Sequence, residues 1–501
     1  MVRSLLSILA LACVVLAGLG AAAVPSQPAT TSQPANVFLL SVPAHAYDLI
    51  LARPEKNAVT LSVLAYQDME GCVAYGTKMG TYATQMPVQP LKKDVPVEML
   101  LNGLQANTCY FYQFRWRTPG TQDFTNSPEY TFQTARPAGS SFIFTLTADA
   151  HLDDRTNPEV YRRTLSNIQA DKPDFHIDLG NLFMTDKHST RDEAAQQYLA
   201  QRYYLGQIGS STPVLLALGT HDGEASRYDD GTANCLAVWS NQIRKRYFPN
   251  PVPDNFYLGN KTPKPFCDLP QNYYAWEWGD ALFVVLDPFG NSLRPRGGMG
   301  GAGGANVRDG WDWSLGLPQY QWLAQTLEKS QAKFKFVFIH NLLCGDQASR
   351  GGVEVASFNE WGGKNLDGTE GFKTHRPGWD MPVHQLLVKN HVAAVIKAHD
   401  NFFARQELDG IVYQMIPQPS FAGDDRIRDL ENYGYKQGTF QGNSGHVRVT
   451  VSPEKVRVEY VRSYLPSDAT AQHPNGEISC FYEITASKPA PKNLPTTSDS
   501  P

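Results

Sequence analysis

The sequence predicts an α/β domain over residues 141–485, preceded by an all-β sandwich over residues 37–135. Two patterns carry this prediction. After residue 141, short apolar strands alternate with helix-like segments, which is typical of α/β domains. Before it, apolar residues alternate with a period of two and turn signals are frequent. Hydrophobic residues make up 42% of the 501-residue chain, so large cores can form and whole-chain disorder is excluded.

The all-β prediction depends on two segments, 57–66 and 110–116. In the second segment, Tyr110, Tyr112, Phe114 and Trp116 share one face of a predicted strand. Turn clusters separate these short strands, and this spacing suits a small sandwich.

A sharper signal lies in the segment LNGLQANTCYFYQF. Its residues Leu101, Leu104, Thr108 and Tyr110 resemble the tyrosine-corner segment of fibronectin type III domains. The resemblance implies that the Tyr110 hydroxyl fastens a turn between the two sheets, and that the module supports another part of the chain.

The α/β prediction rests on six strands and three helices. The strands are 142–146, 175–179, 214–218, 282–286, 334–339 and 392–396, and the helices are 160–169, 191–207 and 318–329. Two late strands, 446–462 and 478–485, are predicted to complete the domain.

Polar side chains follow five of the predicted strands at the point where each strand ends. Loops at strand ends are where α/β domains place reactive groups. A single His at a strand end is usually a hydrogen-bonded structural residue, but five polar loops in one domain favour a site. The candidate residues are Asp149, His151, Asn181, Thr220, His221, Asp222, His340, His399 and Asn401. Carboxylates and imidazoles together suit divalent transition metals.

The order of these motifs resembles the calcineurin-like metallophosphoesterase superfamily, whose pattern runs D-x-H, G-D, G-N-H-D/E, a strand ending in His, and G-H-x-H. A β-sandwich before such a domain, and the segment ELDGIVYQMIPQPS after the last motif, are similar to purple acid phosphatases and their bacterial relatives. The resemblance implies a β-sandwich core flanked by helices, with one or two divalent or trivalent ions (Fe, Mn or Zn). It also implies hydrolysis of a phosphate ester.

Carried over by position, the resemblance assigns a role to each candidate. Asp149 and His151 would bind the first metal, which Asn401 would complete. Asn181 would bridge both metals. Thr220, His340 and His399 would bind the second metal, while His221 would act as acid or transition-state donor with Asp222 orienting it.

Three ligand positions depart from the family pattern. The bridging Asp is Asn181, the Asn of G-N-H is Thr220, and the second His of G-H-x-H is Asn401. A bridging carboxylate offsets the repulsion of two cations, and an amide oxygen brings no charge. Each ion would keep two strong ligands, fewer than the three usual in catalytic zinc sites.

The sequence therefore favours an exported phosphoesterase with an attenuated metal site, acting on phosphate mono- or diesters. A catalytically inactive relative that binds a phosphorylated or cell-envelope ligand is the alternative. A hydrolase with a different metal set is a third possibility.

The N-terminal segment of the chain suggests export. Residues 1–23 resemble a signal peptide, with an uncleaved membrane anchor as the alternative; 24–36 resemble a flexible leader, and 486–501 a disordered tail. No second apolar stretch is long enough to span a membrane, so the mature chain should lack a span. The net charge of -5 argues against nucleic-acid coating.

Six cysteines lie beyond residue 23, and an even count in an exported protein permits disulfides. Cys72 with Cys109 and Cys235 with Cys267 are the nearest pairs in sequence. Buried free thiols are the alternative.

Overall fold

The computed structural model describes residues 37–292, 309–344, 350–421, 427 and 429–485. The predicted signal peptide (1–23), leader (24–36) and tail (486–501) lie outside the described residues.

Two antiparallel sheets form the N-terminal part of the described chain. Their strands are β1 (Tyr47–Ala52), β2 (Ala58–Ala65), β3 (Met69–Gly76), β4 (Thr84–Gln85), β5 (Gln89–Leu91), β6 (Val97–Asn102), β7 (Cys109–Arg117), β8 (Thr125–Asn126) and β9 (Tyr130–Gln133). One sheet has the order β1-β2-β6; the other has the order β4-β3-β7-β8, with β5 and β9 pairing to β3 and β7.

The predicted face of strand β7 is buried between these sheets. Tyr110, Tyr112 and Phe114 are each at most 5% exposed. The Tyr110 hydroxyl accepts a hydrogen bond from the Gln105 N–H at 2.9 Å. A tyrosine hydroxyl that bonds to the backbone a few residues upstream is the defining contact of a tyrosine corner.

Two further sheets form the larger part of the molecule. Their strands are β10 (Phe142–Thr147), β11 (Phe175–Asp178), β12 (Val214–Leu216), β13 (Leu258–Gly259), β14 (Tyr274–Trp278), β15 (Ala281–Val285), β16 (Phe334–Ile339), β17 (Ala394–Lys397), β18 (Phe403–Leu408), β19 (Ile411–Met415), β20 (Thr439–Gln441), β21 (Gly445–Val451), β22 (Lys455–Arg462) and β23 (Ile478–Thr485). The orders are β12-β11-β10-β21-β22-β23 and β13-β14-β15-β16-β17-β19-β18-β20.

Each of the six predicted α/β strands corresponds to a strand of these sheets, namely β10, β11, β12, β15, β16 and β17. The prediction of two late strands was wrong in one respect. Segment 446–462 is a hairpin, β21 and β22, that turns between Val451 and Lys455. Apolar residues alternate on both sides of the turn, at 447, 449 and 451 and again at 456, 458 and 460, so the two strands resemble one segment in the sequence.

An apolar layer lies between the two larger sheets. Phe144 contacts Phe175 and Phe283 with ring centroids 5.6 and 5.1 Å apart, and Trp276 stacks on Phe283 at 4.9 Å. All four side chains are at most 1% exposed. Aromatic pairs at these separations add to the free energy gained by burial, so this layer holds the two sheets together.

Seven α-helices cover the outer faces within the described residues: α1 (Pro158–Asp171), α2 (Arg191–Gly209), α3 (Leu236–Tyr247), α4 (Leu317–Lys329), α5 (Asn359–Gly362), α6 (Phe372–His375) and α7 (Val383–Lys389). The three predicted helices correspond to α1, α2 and α4. Helix α2 begins with a capping box formed by Thr190 and Glu193, which satisfies N–H groups of its first turn.

Helix α2 also fastens the N-terminal sheets to the larger pair. The Tyr112 hydroxyl donates to the carbonyl of Ser210 at 2.6 Å. Buried Arg202 donates to the carbonyl of Ser62 at 2.8 Å. Main-chain carbonyls of one part thus accept from side chains of the other, which fixes the position of α2 beside the candidate site.

Strands β10, β11 and β12 are parallel, and so are β15, β16, β17 and β19. The carboxyl ends of β10, β11, β12, β16 and β17 carry the five polar loops. Among the described residues, no helix has the length and apolar character needed to cross a bilayer. The six cysteines of the described residues are free thiols. The alternative of buried free thiols holds for Cys72, Cys235, Cys267 and Cys344, whereas Cys109 is exposed and Cys480 is half-buried.

Candidate functional site

Four of the candidate residues lie in tight loops with left-handed backbone. Asp149, Asn181, His399 and Asn401 have φ values of 61°, 57°, 83° and 64°. This conformation is uncommon for residues other than glycine and is concentrated at functional sites. The bends turn the side chains that follow each strand back toward the carboxyl edge of the sheets.

Asp149 lies at the centre of the cluster. Its Oδ1 accepts from Asn181 Nδ2 at 2.9 Å and lies 3.3 Å from His151 Nε2 and 3.9 Å from His340 Nε2. Its Oδ2 accepts from the His399 N–H at 3.0 Å. The loops after β10, β11, β16 and β17 therefore converge on one carboxylate.

Neighbouring histidines favour the ionised form of the Asp149 carboxylate. Burial by itself raises the pKa of Asp149, but the hydrogen bond from His151 and the charges of His340 and His151 bring that pKa below its ordinary value. His151 lies between two carboxylates, because its Nδ1 is 3.3 Å from Asp153 Oδ2. Although burial opposes it, these two contacts raise the pKa of His151.

Asn181 is fully engaged within the protein. Its Nδ2 donates to Asp149, its Oδ1 accepts from the His221 N–H at 2.8 Å, and its own N–H donates to Asp222 Oδ2 at 3.0 Å. A carboxylate at this position would lack the donor that now binds Asp149. The amide therefore joins three loops by hydrogen bonds where the family pattern has a metal bridge.

His340 is buried and has one unmet ring nitrogen. Its Nδ1 donates to the carbonyl of Leu179 at 2.7 Å, which fixes the tautomer, and burial lowers the pKa of the ring. Its Nε2 has no hydrogen-bond partner among the described residues. A neutral imidazole with a free Nε2 lone pair is the form that binds metals.

Thr220 and His399 meet at the same edge, with Thr220 Oγ1 lying 3.5 Å from His399 Nδ1. The His399 ring also faces His340, with centroids 5.3 Å apart. Asn401 is buried, and its Oδ1 has no partner in the described part of the chain. All seven predicted ligand positions thus lie in the strand-end loops, and six of them contact one another.

His221 is held by a carboxylate that the sequence did not single out. Its Nδ1 lies 3.0 Å from Asp186 Oδ1, and the Tyr228 hydroxyl donates to Asp186 Oδ2 at 2.6 Å. Burial lowers the pKa of His221, and Asp186 opposes this effect. The side chain of His221 remains 24% exposed, so the ring can meet a ligand from solvent.

Asp222 was expected to orient His221, but its carboxylate binds backbone instead. Its oxygens accept from the N–H groups of Gly219 at 2.7 Å, Asn181 at 3.0 Å and Phe183 at 3.0 Å. Asp222 therefore ties the loops after β11 and β12 together. The contact to the imidazole is made by Asp186.

Asp186, which sequence reasoning missed, precedes His221 by 35 residues. It lies in a one-turn 3₁₀ helix (Thr185–Lys187), for which no apolar period exists. The only available signal was an acidic residue shortly after the Gly180-Asn181 motif.

Asp400 does not supplement the cluster as a ligand. Its Oδ2 accepts from Tyr435 Oη at 2.6 Å, from Lys397 Nζ at 3.0 Å and from the Gly351 N–H at 3.1 Å. Lys397 and Asp400 are both at most 1% exposed. This buried network anchors the loop that presents His399 and Asn401.

The donor set fits a pair of metal ions poorly. Among the described residues, no group of three or more His, Cys, Asp or Glu side chains is arranged to hold a metal ion. Asp149, with the free Nε2 of His340 and the nearby His399, offers the beginning of a single site. Asn181 supplies no negative charge between two cations, so the second ion lacks the carboxylate that would hold it.

Comparisons with known proteins rest on structure alone, since no family model and no curated protein sequence matches this chain. The structure of PhoD aligns with a TM-score of 0.60 at 14% identity, covering 89% of this chain and 92% of that one. The purple acid phosphatase PPD1 from yellow lupin (Lupinus luteus) seeds aligns with a TM-score of 0.57 at 14% identity, covering 88% and 74%.

These alignments extend over most of the described chain. The chain thus has a mixed α/β fold of several sheets, which it shares with PhoD and with this purple acid phosphatase. At 14% identity the likeness establishes the fold, while activity has to be argued from the site.

Proposed function

We propose that this protein is an exported phosphoesterase with an attenuated metal site, hydrolysing phosphate mono- or diesters of small molecules. The observation that carries the proposal is the convergence of four loops on Asp149, with the partly exposed His221 beside them. The fold shared with PhoD and a purple acid phosphatase supports the reaction class.

Apart from Asn181, the metal-ligand assignments made from the sequence are retained within this proposal, while the orienting role passes from Asp222 to Asp186. Asp149, His151, His340 and His399 would hold a single Fe, Mn or Zn ion, with Thr220 and Asn401 as neutral donors, while Asn181 keeps its hydrogen bonds to Asp149 and His221. Residues 37–135 form a fibronectin type III-like support, and residues 1–23 direct export to the periplasm or the exterior. The substrate is a small phosphate ester, without nucleic-acid coating or a membrane span.

His221 has the geometry of an acid acting on a leaving group. Its Nδ1 faces an ionised Asp186, because the hydrogen bond from His221 brings the pKa of that carboxyl below its ordinary value against the effect of burial. The proton of the neutral ring therefore resides on Nδ1, and Nε2 is left to face a ligand. A protonated His221 can donate from Nε2 to the departing oxygen, while Asp186 stabilises the imidazolium.

A non-catalytic role is the second candidate, and one observation favours it. Every polar group of the Asn181 side chain already has a partner within the protein. A site closed by such hydrogen bonds is complete without a bridging ion. In that case the same edge binds a phosphorylated or cell-envelope ligand without turning it over.

An aryl-phosphate assay, run with elemental analysis of protein purified without chelator, tests the proposal. We expect bound metal and turnover, and we expect His221→Gln to reduce kcat by at least about a hundredfold, as loss of a general acid does. The matched control is His473→Gln, whose ring is 61% exposed and contacts only Glu477 and Tyr464 among described residues. Substoichiometric metal after Mn, Fe and Zn supplementation, together with no turnover, would leave the binding role.

A further inference from the structure

Two guanidinium groups hold the loops of the candidate site by their main chains. Arg227 Nη2 donates to the carbonyl of Thr220 at 2.9 Å, and Arg350 Nη1 donates to the carbonyl of His399 at 2.7 Å. The side chains of Thr220 and His399 are themselves 3.5 Å apart. The two arginines therefore belong to the same edge, although 123 residues separate them in sequence.

Among the described residues, neither arginine has a carboxylate to itself. Within this part of the chain the carboxylate oxygen nearest to Arg227 is Asp186 Oδ2 at 3.9 Å, and Asp186 is already bound by His221 and Tyr228. Arg350 lies 3.3 Å from Asp400 Oδ1, but Asp400 also pairs with buried Lys397. Arg350 and Lys397 thus share the carboxylate of Asp400. Arg227 is only loosely paired, at 3.9 Å from Asp186.

Both side chains are mostly buried but keep some contact with solvent, Arg350 more than Arg227. The Arg227 and Arg350 side chains are 10% and 27% exposed. Each main-chain hydrogen bond uses one guanidinium nitrogen, and a guanidinium carries five N–H donors in a planar fork. The remaining donors can take two oxygens of one tetrahedral anion, the geometry in which arginine binds phosphate.

We propose that Arg227 and Arg350 form an arginine pair that binds the phosphoryl group of the ligand. It replaces positive charge that the attenuated metal site does not supply. The inference rests on the proposed phosphate chemistry of this site, but it applies to the enzyme and to the non-catalytic binder alike. It predicts that the chain binds phosphate when no metal is present.

The test is binding of inorganic phosphate to the full chain after chelator treatment, by isothermal titration and by thermal shift. Charge-assisted hydrogen bonds to an anion are strong, so we expect Arg227→Met and Arg350→Met each to weaken phosphate binding by roughly tenfold or more. Arg163→Met is the matched control, because Arg163 lies on helix α1 and lines a separate cleft with Leu465. Equal phosphate affinity in the wild type and in both variants overturns the arginine pair.

Two further measurements separate this inference from the proposed function. If aryl phosphate is hydrolysed, the arginine variants should raise KM more than they lower kcat; an unchanged KM overturns the pair and leaves the enzyme. If nothing is hydrolysed, arginine-dependent phosphate binding still supports the pair. Should a Met variant lose its folded state, Arg227→Lys and Arg350→Lys keep the charge without the fork, and undiminished phosphate binding by these variants counts against bidentate recognition.

Discussion

The apolar layer between the two larger sheets and the polar edge at their carboxyl ends are built from the same strands but in opposite ways. Within the layer, Phe144, Phe175 and Phe283 lie in mutual ring contact with no polar group to satisfy. At the edge, Asp149 and Asn181 adopt left-handed backbone, and buried His340 keeps an unpartnered ring nitrogen. The layer consists of apolar ring contacts, with Trp276 Nε1 as a polar atom unpartnered among the described residues, whereas the edge combines left-handed backbone with the unpartnered polar atoms of His340 and Asn401.

This difference shows how the fold can be kept while the residues of the site change. Burial between the sheets does not depend on the identity of residue 181. An amide there still joins Asp149 to the His221 loop by hydrogen bonds. A residue at the edge can therefore change its charge while the loops keep their places.

The largest expected effect comes from the layer. Phe283 is fully buried and contacts six other aromatic rings of the layer, those of Phe142, Phe144, Phe175, Trp276, Phe336 and Phe338. We expect Phe283→Ala to lower the free energy of unfolding by about 3–5 kcal/mol, as buried Phe to Ala changes do. Denaturant unfolding measures this.

Exposed Phe481 on strand β23 provides the control, since it is 58% exposed and Phe481→Ala should change stability little. Equal losses in the two variants would mean that the layer between the sheets is not what stabilises this fold.

The apolar layer and the polar edge also differ in how far each could be predicted from the sequence. The layer was predictable, because apolar runs such as 334–339 leave a direct pattern in the chain. The positions of the ligand-type residues followed, since the carboxyl ends of parallel strands meet at one edge. The partner of His221 was not predictable, because Asp186 comes from a single 3₁₀ turn and reaches the imidazole only in three dimensions.

The resemblance to a known family shaped the site prediction as well. It assigned the orientation of His221 to Asp222 because the two are adjacent in the motif. The structure shows Asp222 accepting from three backbone N–H groups. Motif order thus located the site, while hydrogen-bond partners depended on loop geometry that no local pattern encodes.

An intermediate effect is expected from restoring charge at the edge. In Asn181→Asp the donor to Asp149 Oδ1 at 2.9 Å is lost and two carboxylates face each other, so metal-free protein should lose about 1–3 kcal/mol of stability. Divalent metal should reverse this loss. When Asn181→Asp is combined with Asn401→His, we expect metal affinity to rise by about 10–100-fold. Changes to the groups that hydrogen-bond to metal ligands already alter metal affinity by this factor.

Titration of Mn or Zn by calorimetry, with thermal unfolding before and after metal addition, measures both parts. Asn401→His alone is the control, because it adds an imidazole but no second carboxylate beside Asp149. If the double variant binds metal no better than the wild type, residues 181 and 401 are not what limits the site.

The smallest expected effect tests whether the pH dependence of stability comes only from groups at the polar edge. Glu55 lies in the N-terminal part, next to Pro54, whose carbonyl accepts from the Tyr257 hydroxyl at 2.6 Å. Burial, together with the charge of Asp254, raises the pKa of Glu55 from 4.5 to about 7. Between these two pH values the folded chain binds more protons than the unfolded chain, so the contribution of Glu55 to stability falls as pH rises from 4.5 toward 7.

We therefore expect Glu55→Gln to flatten the dependence of Tm on pH across this window and to gain most, relative to the wild type, above its upper end. Thermal unfolding at a series of pH values measures the difference. Glu454→Gln, at an exposed position in the turn between β21 and β22, serves as the control. A Glu55→Gln profile parallel to that of the wild type would mean that Glu55 does not contribute to the pH dependence of stability.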